Sequence, residues 1–324
     1  MVFSAGDLAQ MRFAVSPMWE VGPSFRLLAS GGAHAVHGAW AGRVRPRLVA
    51  AGLERGWLAE LVPPSGYVPD FLNPTPHRPA PDLAEELAGI AAARAEDVRG
   101  DLERLRREQG GLGPRARALY ARPRERLAEV AEEIGRYWQV ALAPYWARIR
   151  AVLDADVTHR ARQAAGQGAA RVLNDLHASV RWDEDTLRVP RRPAELSRRA
   201  GRGLLLIPSV FTGPGPFTRI IPVDPPQLAY PARGFGSLWE PRSAAAPGAL
   251  TAVLGRSRAM LLAELDGPAS TTELAGRTGL SPAGVSQNLT ALRGAGLVSA
   301  HRVGRSVLYA RTSVADCLLA AARP

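Results

Sequence analysis

The chain has 324 residues, of which 46% are hydrophobic, and its formal net charge is +11 at pH 7. This content favours two or three globular domains with their own cores. A single cysteine, Cys317, excludes an intramolecular disulfide and is typical of a reducing compartment. The first residues lack a signal-peptide pattern, and the longest aliphatic block, GLLLIPSVF, is too short to cross a bilayer. These observations predict a soluble, cytoplasmic protein without a membrane partner.

The positive charge comes entirely from arginine, since none of the 41 basic side chains is a lysine. A GC-rich coding bias would produce the same replacement of lysine by arginine. The charge itself favours a polyanionic partner.

The first part of the chain predicts helices interrupted by a proline-rich connector. SPMWEVGPSFRLLAS (16–30) predicts a helix after its first proline, and RVRPRLVAAGLERGWLAELV (43–62) predicts a helix or a helix pair. Residues 63–81 contain seven prolines in nineteen positions. Proline lacks the helical N–H donor, so this segment is predicted to be extended.

Three long helical regions are predicted next. The first begins after Asp82 as N-cap and ends at GGLGP (110–114). The second covers 124–153, with a kink or break at Pro144, and the third covers about 155–177.

Four aromatic residues recur at helical spacing in the second region. They favour core packing, with an aromatic-lined pocket for a small organic effector as the alternative. These residues are Tyr137, Trp138, Tyr145 and Trp146.

The pattern changes near residue 179. SVRWDEDTLRV predicts two short strands around an acidic turn, and GLLLIPSVF, FTRIIPV and QLAYPAR predict further strands. Residues 241–249 are small, proline-containing and aperiodic, as in a linker. The predicted fold is therefore α+β and mostly helical, with an N-terminal regulatory, effector or dimer-supporting domain at 1–240 and a second domain at 250–324.

The second domain contains two helix start signals. Ser270 with Glu273 three residues later forms a capping box, and Gly279 ends the helix that follows. Ser281 then caps a second helix whose first position is Pro282. This short helix, glycine turn and capped helix predict a helix-turn-helix, in which the second helix lies in the major groove of DNA.

The second helix has two different faces. Val285, Leu289 and Leu292 form a buried stripe. Its leading residues are small, which allows close approach to a duplex, and glutamine or asparagine can pair bidentately with adenine. The leading residues are Pro282, Ala283 and Gly284; the polar ones are Ser286, Gln287, Asn288 and, placed to reach a phosphate, Arg293.

VSAHRVGRSVLYAR (298–311) predicts a β-hairpin with Gly304 in the turn. Arg305 would stand at its tip, where an arginine can enter a narrow minor groove, and Arg302 and Arg311 would lie on the strands. A hairpin after a helix-turn-helix is a wing.

The segment STTELAGRTGLSPAGVSQNLTALRGAGLVSAHRVGRSVLYART resembles the winged helix of ArsR-type bacterial transcriptional regulators. The S-x-x-E-L-A opening, the GLSPAGVSQNLTAL helix, AGLV and the GRSVLY wing carry the resemblance, which covers the last quarter of the chain. More weakly, GLLLIPSVF and AYPARGFGSLW resemble an N-terminal domain of uncharacterised function on some actinobacterial members. The predicted DNA-contacting residues are Thr271, Thr272, Ser281, Ala283, Gly284, Ser286, Gln287, Asn288, Arg293, Arg302, Arg305 and Ser306.

The resemblance implies a homodimer paired through helices at about 250–256 and 313–322, bound to an inverted-repeat operator on double-stranded DNA. Many members sense metal through a cysteine pair in the first helix of the motif, where this chain has Glu-Leu-Ala-Gly (273–276). We therefore predict no metal site of that kind. His34 and His37 have helical spacing for a metal, but no third ligand is near them in the sequence.

The sequence thus predicts a dimeric, sequence-specific transcriptional regulator, a repressor by family habit, with a small-molecule effector as a further partner of the N-terminal domain. No cofactor is expected. No catalytic arrangement stands out, and TGPGP lacks the lysine and hydroxyl of a phosphate loop, so we predict no enzyme. Two alternatives stay open: a winged helix that binds protein, and an enzyme domain fused to a DNA-binding tail.

Overall fold

The computed structural model describes residues 5–31, 34–184, 186–189, 203–213, 215–221, 224–240, 248–304 and 306–322. The chain forms two compact units, each assembled from three segments. Unit 1 comprises Met1–Ala33, Leu53–Gly135 and Val152–Gly236, and unit 2 comprises His34–Gly52, Arg136–Ala151 and Ser237–Pro324. The predicted domain 250–324 lies within unit 2, which also includes two segments from the first half of the chain. The boundary drawn from the sequence stays a prediction, and 241–247 of its linker lie outside the described residues.

The described residues form a mostly helical α+β fold, as predicted. The α-helices are α1 Ala5–Ala9, α2 Met18–Ala29, α3 Gly38–Ala50, α4 Trp57–Leu61, α5 Leu83–Ala91, α6 Ala95–Gln109, α7 Pro114–Ala121, α8 Pro123–Ala141, α9 Trp146–Gln167, α10 Ala169–Asp175, α11 Gly248–Leu254, α12 Arg256–Glu264, α13 Thr271–Thr278, α14 Pro282–Gly294 and α15 Ser313–Ala321. The strands are β1 Arg12–Phe13, β2 Arg181–Asp183, β3 Thr186–Arg188, β4 Leu205–Ser209, β5 Phe217–Arg219, β6 Gln227–Pro231, β7 Val298–Val303 and β8 Ser306–Arg311.

Several local predictions are confirmed. The proline-rich segment 63–81 contains only a single 3-10 turn, Asp70–Leu72. Asp82 caps α5 in a capping box, in which its side chain accepts from the Glu85 N–H at 2.9 Å. Pro144 ends a helical region, since a 3-10 turn at Ala143–Tyr145 separates α8 from α9. Local signals determine these points.

Two helical predictions are wrong, and one helix was not predicted. The region after Asp82 is two helices, because Arg94 adopts extended backbone between α5 and α6, against the helical propensity around it. The helix expected at 155–177 instead begins at Trp146, and Gly168, at φ +83°, separates α9 from α10. Helix α7 was not predicted, because alanines and arginines give it little amphipathic pattern.

Unit 1 contains a mixed four-stranded sheet in the order β1-β4-β6-β5. β4 pairs in parallel with β1 and β6, and β5 pairs antiparallel with β6. Every residue of β4 is buried, which explains why its first four residues are apolar in a row instead of alternating with polar ones. The predicted hairpin of β2 and β3 is present, but Asp185 in its turn lies outside the described residues.

Glu20 is a buried carboxyl group that joins α2 to the end of β4. It accepts hydrogen bonds from the backbone N–H groups of Val210, at 3.0 Å, and Phe211, at 3.3 Å. Burial raises the pKa of Glu20 to about 8, against the opposing effect of these hydrogen bonds. This polar link holds α2 against the sheet of unit 1.

Unit 2 contains a cluster of aromatic rings. The rings of Trp40 and Trp239 are stacked with centroids 6.2 Å apart and planes at 16°, and Tyr145 meets Trp239 edge to face at 5.4 Å. Both indole N–H groups are satisfied, Trp40 by the Ala141 carbonyl at 3.0 Å and Trp239 by His37 Nδ1 at 2.8 Å. The rings are therefore fixed by polar contacts as well as by packing.

The four aromatic residues that recur at helical spacing differ in their burial. Tyr137, Trp138 and Tyr145 are buried, and Trp146 is half-buried with its ring edge-to-face to Trp138 at 4.9 Å. Of the four, Tyr145 also lines a cavity. No helix among the described residues is long and apolar enough to cross a membrane.

Candidate nucleic-acid interface

The C-terminal part of unit 2 is organised around an aliphatic core. Helices α12, α13 and α14 bring their leucines together with the start of β7 and with α15. The buried members are Leu261, Leu262, Leu265, Ala269, Leu274, Val285, Leu289, Leu292, Leu297, Val298 and Ala315. The stripe predicted on α14 is thus confirmed as the side that faces the protein.

Both predicted capping signals of α13 are confirmed. Ser270 Oγ accepts from the Glu273 N–H at 3.3 Å, and a Glu273 carboxylate oxygen accepts from the Ser270 N–H at 2.7 Å. The bond from the Ser270 N–H is the largest cause of the lowered pKa of Glu273. Gly279 ends the helix at φ +72°, a conformation that glycine adopts without steric cost. These features fix where the turn between α13 and α14 begins.

The first turn of α14 is also built as predicted. Ser281 Oγ accepts from the Gly284 N–H at 3.1 Å, and Pro282 occupies the first helical position. A Cβ atom at position 284 would lie 3.2 Å from Ser281 Oγ, which is a tight contact. Glycine at 284 therefore leaves room for the cap as well as giving the helix a slim leading end.

The solvent side of α14 carries small and polar residues without bulk. Ala283, Ser286, Gln287 and Arg293 are exposed, as predicted. Thr290, which was not among the predicted DNA contacts, is exposed on the same side and donates its hydroxyl to the Ser286 carbonyl at 2.9 Å. Its position four residues after Ser286 and three after Gln287 was the available signal, because residues at these spacings share a helix face.

Asn288 differs from its neighbours. It is half-buried beside the aliphatic stripe, and its side-chain amide donates to the Gly284 carbonyl at 2.8 Å. This bond uses one of the two amide donors and holds the side chain against its own helix, so contact with an adenine would require the side chain to turn outward. Gln287, fully on the exposed side, needs no such change.

The first turn of α13 lies at the start of the motif. Thr271 is half-buried and Thr272 is exposed. Both follow the Ser270 cap directly. Threonine hydroxyls at a helix start suit contact with a phosphate.

The wing is a regular antiparallel hairpin. Strands β7 and β8 pair from Val298↔Arg311 to Val303↔Ser306, and Gly304 has φ +61° in the two-residue turn. Arg302 and Ser306 are exposed, while the tip residue Arg305 lies outside the described residues. Ala269 and Tyr309 exchange two backbone hydrogen bonds, of 3.0 and 2.8 Å, which attach the hairpin to the residues before α13.

Arg311 lies on strand β8 of the wing, as predicted, but its side chain faces the protein interior and not the solvent. It is buried, with Nε 3.0 Å from an Asp316 carboxylate oxygen and Nη1 donating to the Leu262 carbonyl at 3.1 Å. A buried arginine needs such partners, and these tie β8 to α12 and α15. The alternation of the strand did not indicate this partner, because Asp316 belongs to the next helix.

Comparison with known families matches residues 254–299 to the family described as "Helix-turn-helix domain". Neither the curated proteins nor the solved structures gave a match to this chain. The matched residues cover α12, α13, α14 and the start of β7. The chain therefore carries a C-terminal helix-turn-helix domain, the class of domain that supports DNA binding in transcriptional regulators.

The spacing of His34 and His37 had raised the possibility of a metal site. No group of three or more histidine, cysteine, aspartate or glutamate side chains in the described parts of the chain is arranged to hold a metal ion. Instead, His37 accepts the indole N–H of Trp239, and the rings of His34 and His37 lie 4.8 Å apart.

Proposed function

We propose that this protein is a sequence-specific, DNA-binding transcriptional regulator that inserts α14 into the major groove. The two-sided character of α14 carries the proposal: three aliphatic side chains are buried, and the opposite side exposes Ala283, Ser286, Gln287, Thr290 and Arg293. A polar outer side is common on surface helices, and the slim leading end after the Ser281 cap is what suits close approach to a duplex. The match to a helix-turn-helix domain supports the same conclusion.

In this arrangement the residues have different roles. Gln287 reads a base edge, since its amide offers a donor and an acceptor together. Ser281, Thr272 and Arg293 contact phosphates, and Arg302 on the wing contacts the backbone or the adjacent groove. We also propose that Arg305, at the wing tip, enters the minor groove.

Titration against the DNA upstream of the chain's own gene tests the proposal. We expect binding that persists in excess competitor DNA and weakens steeply as salt rises, because bound arginines release counterions from the phosphates. Footprinting should then locate an inverted repeat with half-sites about one helical turn apart. Equal affinity for the upstream fragment and for unrelated DNA would contradict sequence-specific binding.

We further propose that the protein acts as a homodimer, and a repressor, of the ArsR type. Apolar side chains remain exposed on the two helices that the resemblance implies for pairing: Val253 on α11 is 82% exposed, and Val314 and Leu318 on α15 are 55% and 40% exposed. Beneath them Leu250, Ala259 and Leu319 form a small core of their own. Exposed apolar side chains on helices that share a small core suit burial in an interface.

Replacing Leu318 by glutamate is expected to convert the dimer to a monomer. Burying an unpaired carboxylate in the interface costs far more free energy than the remaining interface contacts provide. Sedimentation equilibrium measures the mass, and the operator affinity should fall by about 100-fold or more, since one half-site then binds alone. The matched control is Val49→Glu, at a side chain that is 56% exposed on α3, away from α11 and α15 in sequence. A Leu318→Glu protein that stays dimeric would place the interface elsewhere.

A further inference from the structure

Unit 2 contains a cavity of about 310 Å³ that the recognition helix does not line and that the wing reaches only through the end of β8. One part of its wall is made of aromatic and arginine side chains from α3, the 3-10 turn Ala143–Tyr145, the start of α9 and Trp239. Another part is the loop 265–268. This volume is at the lower end of the range for sites that bind small organic molecules.

The aromatic part of the wall presents ring surface rather than polar atoms. Trp40 and Trp239 direct their indole N–H groups to the Ala141 carbonyl and to His37. Tyr145 stands edge-on to Trp239 at 5.4 Å. Trp239 is half-buried, whereas Trp40 and Tyr145 are almost fully buried, so Trp239 provides most of the ring surface that suits a flat, apolar ligand.

The cationic part of the wall provides an anchor for an anion. Arg43 lines the cavity and has no carboxylate within ion-pair distance in the described part of the chain. A Cβ atom at position 267 would lie 2.8 Å from Arg43 Nη1, so Gly267 allows the guanidinium to lie against the loop. Burial raises the pKa of Tyr145, and the charges of Arg47, on the same helix, and Arg43 oppose this rise. Two guanidinium groups thus act at the hydroxyl end of Tyr145.

The acidic residues of the wall do not cancel this charge. Asp316 is held by Arg311, with 3.0 Å between Oδ1 and Nε. Asp266 is half-buried, and its backbone carbonyl accepts from Arg148 Nη1 at 2.8 Å. Three arginines and two aspartates line the cavity, so one positive charge remains in excess.

We propose that this cavity binds a small planar aromatic carboxylate. The ring lies against Tyr145 and Trp239, and the carboxylate accepts hydrogen bonds from Arg43, whose planar guanidinium matches it in a bidentate pair. The ligand is the small-molecule partner of the regulator.

The site is connected to the DNA-binding helices, and this part of the inference rests on the proposed function. The loop 265–268 forms cavity wall and leads directly to the Ser270 cap of α13. Arg311 also lines the cavity and joins β8 to α12 and α15. A ligand that contacts both elements favours one arrangement of the helix-turn-helix, and operator affinity changes by the ratio of its affinities for the two arrangements.

Calorimetric titration of the full chain, without DNA, tests the site. The probe is 2-naphthoate, and its uncharged counterpart 2-naphthamide is the control ligand. We expect naphthoate to bind the unmodified protein about 10-fold or more tightly than the amide, as a charge-assisted hydrogen bond to arginine requires. Arg43→Gln should remove that preference, and Ala147→Phe, which fills the cavity, should abolish binding of both ligands. Arg55→Gln, at an arginine side chain that is 89% exposed, controls for net charge and should change nothing.

The outcomes separate this inference from the proposed function. Absent naphthoate binding, or equal binding by the unmodified and Arg43→Gln proteins, overturns the ligand site. Naphthoate binding that changes operator affinity by about 5-fold or more supports the site and its connection to the DNA-binding helices. Naphthoate binding with unchanged operator affinity supports the site and overturns the connection. Naphthoate binding by a protein without sequence-specific DNA binding supports the site and contradicts the proposed function instead.

Discussion

Replacing Leu289 by alanine is expected to lower the free energy of unfolding of unit 2 by about 2–5 kcal/mol. Leu289 is fully buried at the centre of the aliphatic stripe on α14, among leucines from α12 and α13. Its removal leaves a cavity that rigid helices cannot fill by moving together. Urea unfolding followed by circular dichroism measures the loss, and operator binding should weaken in parallel because α14 is no longer held in place.

Val49→Ala is the matched control for this substitution. Val49 also belongs to unit 2, but its side chain is 56% exposed, so its truncation should cost no more than about 0.5 kcal/mol. Equal losses for the two variants would contradict the assignment of Leu289 to the core.

Replacing Gln287 by alanine is expected to reduce discrimination between operator and mutated operator by about 1–3 kcal/mol, or roughly 5- to 150-fold. Gln287 is exposed on α14, outside the aliphatic core, so the fold and the affinity for unrelated DNA should be unchanged. Competition binding with single-base operator variants identifies the base pair at which the preference is lost.

Two further variants are compared with Gln287→Ala in the same experiment. Asn288→Ala should change discrimination less, because the Asn288 amide already donates to the Gly284 carbonyl. Arg302→Ala should weaken binding to all sequences alike and lower the salt slope by about one, as the loss of one phosphate contact requires. Discrimination that depends on Asn288 and not on Gln287 would mean that α14 is rotated from the proposed orientation.

The C-terminal part of unit 2 was predictable because its signals are local. The Ser270 and Ser281 caps, the Gly279 terminus and the Gly304 turn each act within a few residues, and each has the expected geometry. The buried and exposed sides of α14 follow from the 3.6-residue period alone. Residue types and spacing were therefore sufficient.

The remaining features depend on contacts that are distant in sequence. The burial of Arg311 was not predicted, because its partner Asp316 lies in the following helix. The cavity could not be predicted, because Trp40, Tyr145 and Trp239 come from three separate segments that only the tertiary fold brings together. The break at Arg94 lies among alanines, where propensity favours a continuous helix, so packing must decide it. Long-range pairing leaves no periodic trace in the sequence.

The separation of buried and exposed residues on α14 has a consequence for how the binding preference of such a regulator evolves. None of Ala283, Ser286, Gln287 and Thr290 belongs to the aliphatic core, so exchanging them costs the scaffold little. A duplicated copy of the gene could acquire a different target site through one or two changes here while its fold stayed intact. Drift in binding preference between related chains should therefore be concentrated at these few positions.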